Sequence, residues 1–202
     1  MRPPLLFVCA LAIAHAQPEW KPLFDGKTLG QWKPTAFANS PAVRVEKGAI
    51  LLAAGHPMTG VTWSGKFPET AYELRFEATR LAGGDFFSSV TFPASGAHAT
   101  WVIGGWGGDI VGISSIDGWD ASDNETRSYF EFQTGRWYAF RLQVTAERIS
   151  AWIDDQRVID VDIRGRAISL RLGDIKLSTP LGFASYNTSG SLRKIAYLML
   201  KP

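Results

Sequence analysis

The sequence predicts an all-β protein, folded as a two-sheet antiparallel jelly-roll sandwich. Three observations carry this expectation. Apolar and polar residues alternate with period two, short β-compatible runs recur between turn-forming clusters, and no stretch combines a helical apolar period with caps. Eight Trp, twelve Phe and twenty Gly suit twisted strands joined by tight turns. A chain of 202 residues is long enough for one well-buried core, and we expect one domain.

The chain opens with Met1-Arg2-Pro3-Pro4, one positive charge ahead of an apolar run from Leu5 to Ile13, and Ala14-His15-Ala16 then fits the small-x-small pattern cut by signal peptidase. Residues 1–16 therefore read as a signal peptide, and 17–202 as the domain of a secreted or periplasmic protein. The apolar run is too short for a permanent membrane span. Cys9, the only cysteine, lies inside this segment behind Val8 rather than behind the small residue a lipid anchor needs. The mature chain then has no thiol, which excludes thiol catalysis, disulfides and cysteine-based zinc sites. Loss of Arg2 from a chain with 21 Lys+Arg and 19 Asp+Glu leaves a charge of about +1, so no nucleic-acid partner is indicated.

Further along, Tyr72 to Ala78 alternates strictly, with Tyr72, Leu74, Phe76 and Ala78 on one face. Trp137 to Thr145 repeats the pattern through Tyr138, Phe140, Leu142 and Val144. Arg148–Ile153 and Arg157–Asp162 follow after short turns, predicting a three-strand meander. Pro180–Tyr186 and Ser191–Leu200 are further strand candidates. Many short strands with Gly-rich turns argue for two packed sheets.

The segment Leu23-Phe24-Asp25-Gly26-Lys27-Thr28-Leu29-Gly30-Gln31-Trp32 resembles the N-terminal signature of the DUF1080 family, the 3-keto-disaccharide hydrolase domain, whose usual form is L-F-[ND]-G-x-x-L-x-x-W. Val45–Ile50, Tyr72–Glu77, Gly135–Tyr138, Ile149–Ile153, Pro180–Gly182 and Leu192–Ile195 resemble later blocks in the same order. The resemblance implies a concanavalin A-like sandwich acting on oxidised sugars. The signature itself reads as structural, since Asp25-Gly26 suits a tight turn and Phe24, Leu29 and Trp32 are spaced to tuck over the core edge. One departure stands in the middle of the chain: Gly83–Val90 and Thr100–Gly108 occupy the places where relatives carry polar segments.

The stretch from His98 to Arg127 holds the candidate chemistry. Gly104-Gly105-Trp106-Gly107-Gly108 lets the backbone bend, so that Trp101 and Trp106 either stand clear as sugar platforms or fill the core at a bulge. Trp119 is a third platform candidate, and Arg127 a group to grip a sugar hydroxyl. Asp117, Asp120, Asp123 and Glu125 crowd one polar loop, which fits a general acid/base pair, a hard cation such as calcium, or a solvated turn. His98 adds a base near neutral pH.

Two functions follow. The resemblance implies an enzyme that cleaves 3-keto-glycosides, with Asp117, Asp120, Glu125 and His98 as acid/base candidates and Trp101, Trp106, Trp119 and Arg127 as substrate contacts. The alternative is a non-catalytic glycan-binding module in which the tryptophans stack on sugar rings. Either way the expected ligand is a saccharide or oxidised glycoside, and the oligomeric state stays open. An enzyme needs acids converging in a pocket, a binder exposed aromatics along a groove.

Overall fold

The strictest alternation in the sequence becomes a central strand. Tyr72, Leu74, Phe76 and Ala78 are buried, whereas Arg75 is exposed and Glu73 and Glu77 are half-buried, the pattern of a pleated strand with one face on a core. The computed structural model describes residues 19–201, so the expected signal peptide and its cleavage point lie outside the described residues.

Fifteen strands are present among the described residues. The first seven are β1 (Lys21–Pro22), β2 (Trp32–Pro34), β3 (Arg44–Glu46), β4 (Ala49–Leu52), β5 (Met58–Trp63), β6 (Tyr72–Ala82) and β7 (Ser89–Ala94). They continue with β8 (Ala97–Gly105), β9 (Ile110–Ser114), β10 (Ser128–Tyr129), β11 (Tyr138–Val144), β12 (Arg148–Ile153) and β13 (Gln156–Asp162). After a 3-10 turn at Asp174–Ser178 come β14 (Gly182–Tyr186) and β15 (Ser189–Met199).

These strands form the predicted two-sheet antiparallel sandwich. One sheet runs β13-β12-β11-β6-β15-β4-β3, with β1 added against β15; the other runs β10-β9-β8-β7-β14-β5-β2. The β11–β12–β13 meander is present, with Phe140 opposite Ile153 and Ser150 opposite Asp160.

Aromatic rings weld the two sheets. Phe76 and Phe140 of the eight-stranded sheet stack at 4.9 Å, and Phe183 and Trp101 of the seven-stranded sheet meet them edge-on, at 4.8 Å from Phe76 and 5.7 Å from Phe140. Such ring pairs add to the area they bury. The N-terminal signature closes one end of this core. The Asp25 carboxylate accepts the Lys27 and Thr28 N–H groups, both at 2.8 Å, and the buried Trp32 indole donates to the Leu23 carbonyl at 2.9 Å.

Trp101 corrects one expectation. It shares the inward face of β8 with Ala99 and Ile103 and is fully buried, so no sugar can stack on it. Trp101→Ala should cost about 3–5 kcal/mol of stability, the usual loss for a large buried aromatic. Chemical denaturation measures it.

Candidate functional site

Because side chains alternate, the residues between those core positions face outward from the seven-stranded sheet. Ser89 on β7, Thr100 and Val102 on β8, and Ser114 on β9 form the floor of a cavity of about 340 Å³ there, at the lower end of the range for small-molecule sites. Tyr186 on β14 and Met58 on β5 extend it across the sheet, and Arg171, Leu172, Asp174 and Ile175 complete its lining. Asp85, Phe86 and Trp106 close its side.

A bulge delivers Trp106. The β8–β9 register shifts between Ile103 and Gly105, after which the chain turns through Gly107 and Gly108. Gly108 has φ +108°, and a Cβ there would lie 2.7 Å from the Arg80 guanidinium and 3.1 Å from the Gly84 carbonyl, so the approach requires glycine. Arg80, on β6 of the other sheet, donates to the carbonyls of Gly108 at 3.1 Å and Phe132 at 2.5 Å, fixing the loop from beneath. Trp106 is 40% exposed at the end of this loop.

Asp85 is the distinctive acid. It is half-buried, it accepts the Phe86 N–H at 2.7 Å, and its backbone N–H donates to the Thr188 hydroxyl at 2.9 Å. Burial pushes its carboxyl above the usual aspartate range, against the opposing pull of N–H groups from Phe86, Gly107 and Trp106. Arg171 is the cavity's cation. Its guanidinium lies 5.5 Å from the Trp106 ring centroid and 3.1 Å from Asp120, whose other oxygen accepts the Ser115 hydroxyl at 2.9 Å.

Residues 19–182 match the 3-keto-alpha-glucoside-1,2-lyase-like domain. The chain belongs to this family. No curated protein sequence matches it. Among solved structures it resembles a proposed glycosyl hydrolase from Parabacteroides distasonis, with 11% identity over 90% of this chain and 94% of that one and a TM-score of 0.58. It also resembles SCLam, a non-specific endo-beta-1,3(4)-glucanase of family GH16, with 12% identity over 91% and 94% of the two chains and a TM-score of 0.56. The carbohydrate binding module CBM66 from Bacillus subtilis aligns at 12% identity over 83% and 95%, with a TM-score of 0.52. At such identities these likenesses establish the fold alone.

In this family member, the eight site residues suggested by the sequence separate. Trp106 lines the cavity, and Asp120 reaches it through Arg171. His98 lies on the outward face of β8, one pleat beyond Thr100, with its pKa lowered by burial and raised in part by Glu69. Trp119 is 63% exposed beside Asp120 but outside the cavity lining, and Arg127 donates to the Ser122 carbonyl at 2.8 Å.

Asp117 and Glu125 are brought together on one arginine rather than in the cavity. Both lie outside the cavity lining and bind one guanidinium, Arg166, at 2.5 and 2.6 Å. Asp117 is held below its ordinary range by the Ala167 N–H and by Arg166, and Glu125 mainly by Arg166. Among the described residues no three His, Cys, Asp or Glu side chains gather as a metal site.

Sequence reasoning missed Asp85 and Arg171. One signal was available: Asp85 stands in Gly83–Val90, the segment that replaces the polar block of relatives.

The Arg166 clamp yields a signed prediction. Carboxylates with depressed folded-state pKa values contribute stability above their unfolded pKa and lose it as pH falls through the folded value. Arg166→Gln should therefore lower Tm at neutral pH, with the difference from wild type shrinking below the ordinary carboxylate range. Thermal melts across pH test this.

Proposed function

We propose that the protein is an exported carbohydrate-active enzyme that cleaves 3-keto-glycosides by acid/base elimination. The observation that carries this reading is Asp85, a carboxyl raised by burial, in one cavity with a cation, Arg171, and an exposed indole, Trp106. Family membership supports the choice of substrate. The fold shared with carbohydrate-active proteins accommodates it.

A ketone at C3 acidifies the proton on C2. The Asp85 carboxylate takes that proton and the C2–H electrons form an enolate with its charge on the C3 oxygen; as the ketone re-forms, the C1=C2 double bond forms and the C1–O bond breaks, the leaving oxygen taking the proton from Asp85. Water adding across the double bond then gives net hydrolysis. Negative charge develops on the C3 oxygen in the first step, where Arg171, steadied by Asp120, offsets it. Trp106 supplies a flat face for the pyranose ring. A base works best with a pKa near the working pH, which a raised aspartate approaches and the arginine-paired Asp117 does not.

The alternative is a glycan-binding module, favoured by the aromatic groups Phe86, Trp106 and Tyr186 around the cavity. Turnover of 3-keto-glucosides separates the two. The enzyme reading predicts release of the aglycone and a loss of about 10²–10⁴-fold in kcat for Asp85→Asn, the usual contribution of one acid/base group. The kcat/KM of wild type should rise as pH rises through the elevated Asp85 pKa, and the Asn variant should lack that limb. Binding of unoxidised glycosides without any turnover leaves the module. Adding chelator assigns the enolate: unchanged rates point to Arg171, lost rates to a divalent cation such as calcium.

A further inference from the structure

The cavity is chemically divided along the sheet. At its β8–β9 end stand Asp85, Trp106 and Arg171, above Thr100 and Ser114. At its β14–β5 end stand Phe86, Tyr186, Met58 and Ile175, with the exposed Asp174 beside Ile175 on the 3-10 turn. Tyr186 and Met58 are register partners on adjacent strands, and the Phe86 and Tyr186 rings lie 5.6 Å apart. The 3-10 turn that carries Ile175 is tied to β5 by the Thr62 hydroxyl, which donates to the Leu177 carbonyl at 3.0 Å.

The strand order sets the length. From β9 to β5 the sheet passes through β8, β7 and β14, four spacings of ~4.8 Å, or about 19 Å. This exceeds what one pyranose ring spans, so a glycoside whose sugar sits over Trp106 projects its aglycone toward Phe86 and Tyr186.

The second half of the cavity has little to offer a second sugar. The floor hydroxyls are buried and already bonded. Ser89 accepts the Ile103 N–H at 3.0 Å, Thr100 pairs with Thr91 at 3.0 Å, and Ser114 accepts the Ala121 N–H at 2.9 Å. Apart from the Tyr186 hydroxyl and the exposed Asp174 carboxylate on the 3-10 turn, the side chains at the β14–β5 end carry no hydrogen-bonding group. A second pyranose would give up water at several hydroxyls for few partners, and unpaired polar groups are expensive to bury. An apolar group loses nothing there and covers exposed ring surface. Leu172, 98% exposed at the cavity mouth, adds apolar surface that such a group would cover.

We infer that the substrates are 3-keto-glycosides with an apolar, preferably aromatic aglycone, bound over Phe86, Tyr186 and Met58, rather than disaccharides. The inference rests on the elimination reading for its reaction, but its binding half stands apart from it.

Three 3-keto-α-glucosides test it, carrying methyl, benzyl and glucosyl leaving groups. Methanol and benzyl alcohol are of nearly equal acidity, so their comparison reports contacts rather than leaving-group chemistry. The expected result is a kcat/KM for benzyl at least tenfold above that for methyl, with glucosyl no better than methyl. Met58→Ser should reduce the benzyl value several-fold more than the methyl value. In parallel, calorimetry with unoxidised benzyl and methyl α-glucoside reads binding without reaction. Turnover with equal methyl and benzyl rates, or with glucosyl preferred, overturns the aglycone inference and leaves the elimination reading intact. Tighter binding of benzyl glucoside without turnover of any keto-sugar supports the aglycone half and removes the elimination reading. Equal binding of the two glucosides without turnover removes both.

Discussion

Everything in this protein depends on two sheets having to bury one face each against the other. Phe76, Phe140, Trp101 and Phe183 meet in the space between them, and each ring fixes the orientation of its strand. In a pleated strand that choice also fixes the neighbours. Once Trp101 and Ile103 point inward, Thr100 and Val102 point outward. A slip of one residue would exchange the two sets and remove core and cavity floor together. The site is thus the reverse side of the core, and its precision comes from the same packing.

The parts of the site that are not on strands need other supports. Trp106 follows a bulge and would wander with its glycines were it not held by Arg80, which reaches from the opposite sheet to the Gly108 and Phe132 carbonyls. Arg171 sits on a segment with only a short 3-10 turn for regular structure, and Asp120 holds its guanidinium. Asp85 is held through its backbone by Thr188, just before β15. Each cavity-side group is therefore tied to a strand or loop distant from it in sequence.

That pattern explains how much was legible beforehand. The sandwich, the meander and the inward face of β6 follow from alternation, which is local and visible. Trp101 and Trp106 show where local reading can be sharpened. Trp101 has the parity of Ala99 and Ile103, two small or apolar inward positions, whereas Trp106 comes after the register has shifted at Gly105. Convergence in space carries no such trace. Nothing in the neighbourhood of Asp117 and Glu125 shows that Arg166 will bind both, and nothing near Asp85 shows that Arg171 will share its cavity. The acidic loop drew attention by its density of carboxylates, and three of the four, Asp117, Asp120 and Glu125, are held by arginines.

What separates the clamped acids of the polar loop from Asp85 is whether an arginine is supplied. Asp117 and Glu125 share Arg166, Asp120 has Arg171, and Asp160 has Arg148 and Arg157. Asp85 has no ion-pair partner among the described residues: its carboxylate is met by backbone N–H groups and by burial, and burial dominates. A carboxylate with a guanidinium is stabilised as the anion and weakened as a base. One that is desolvated without a counter-ion is made more basic, at some cost to the fold whenever it ionises. A protein gains nothing in stability from that arrangement, so its occurrence in the aromatic cavity, rather than in the acidic loop clamped by Arg166 and Arg171, is the strongest physical reason to look for chemistry at Asp85.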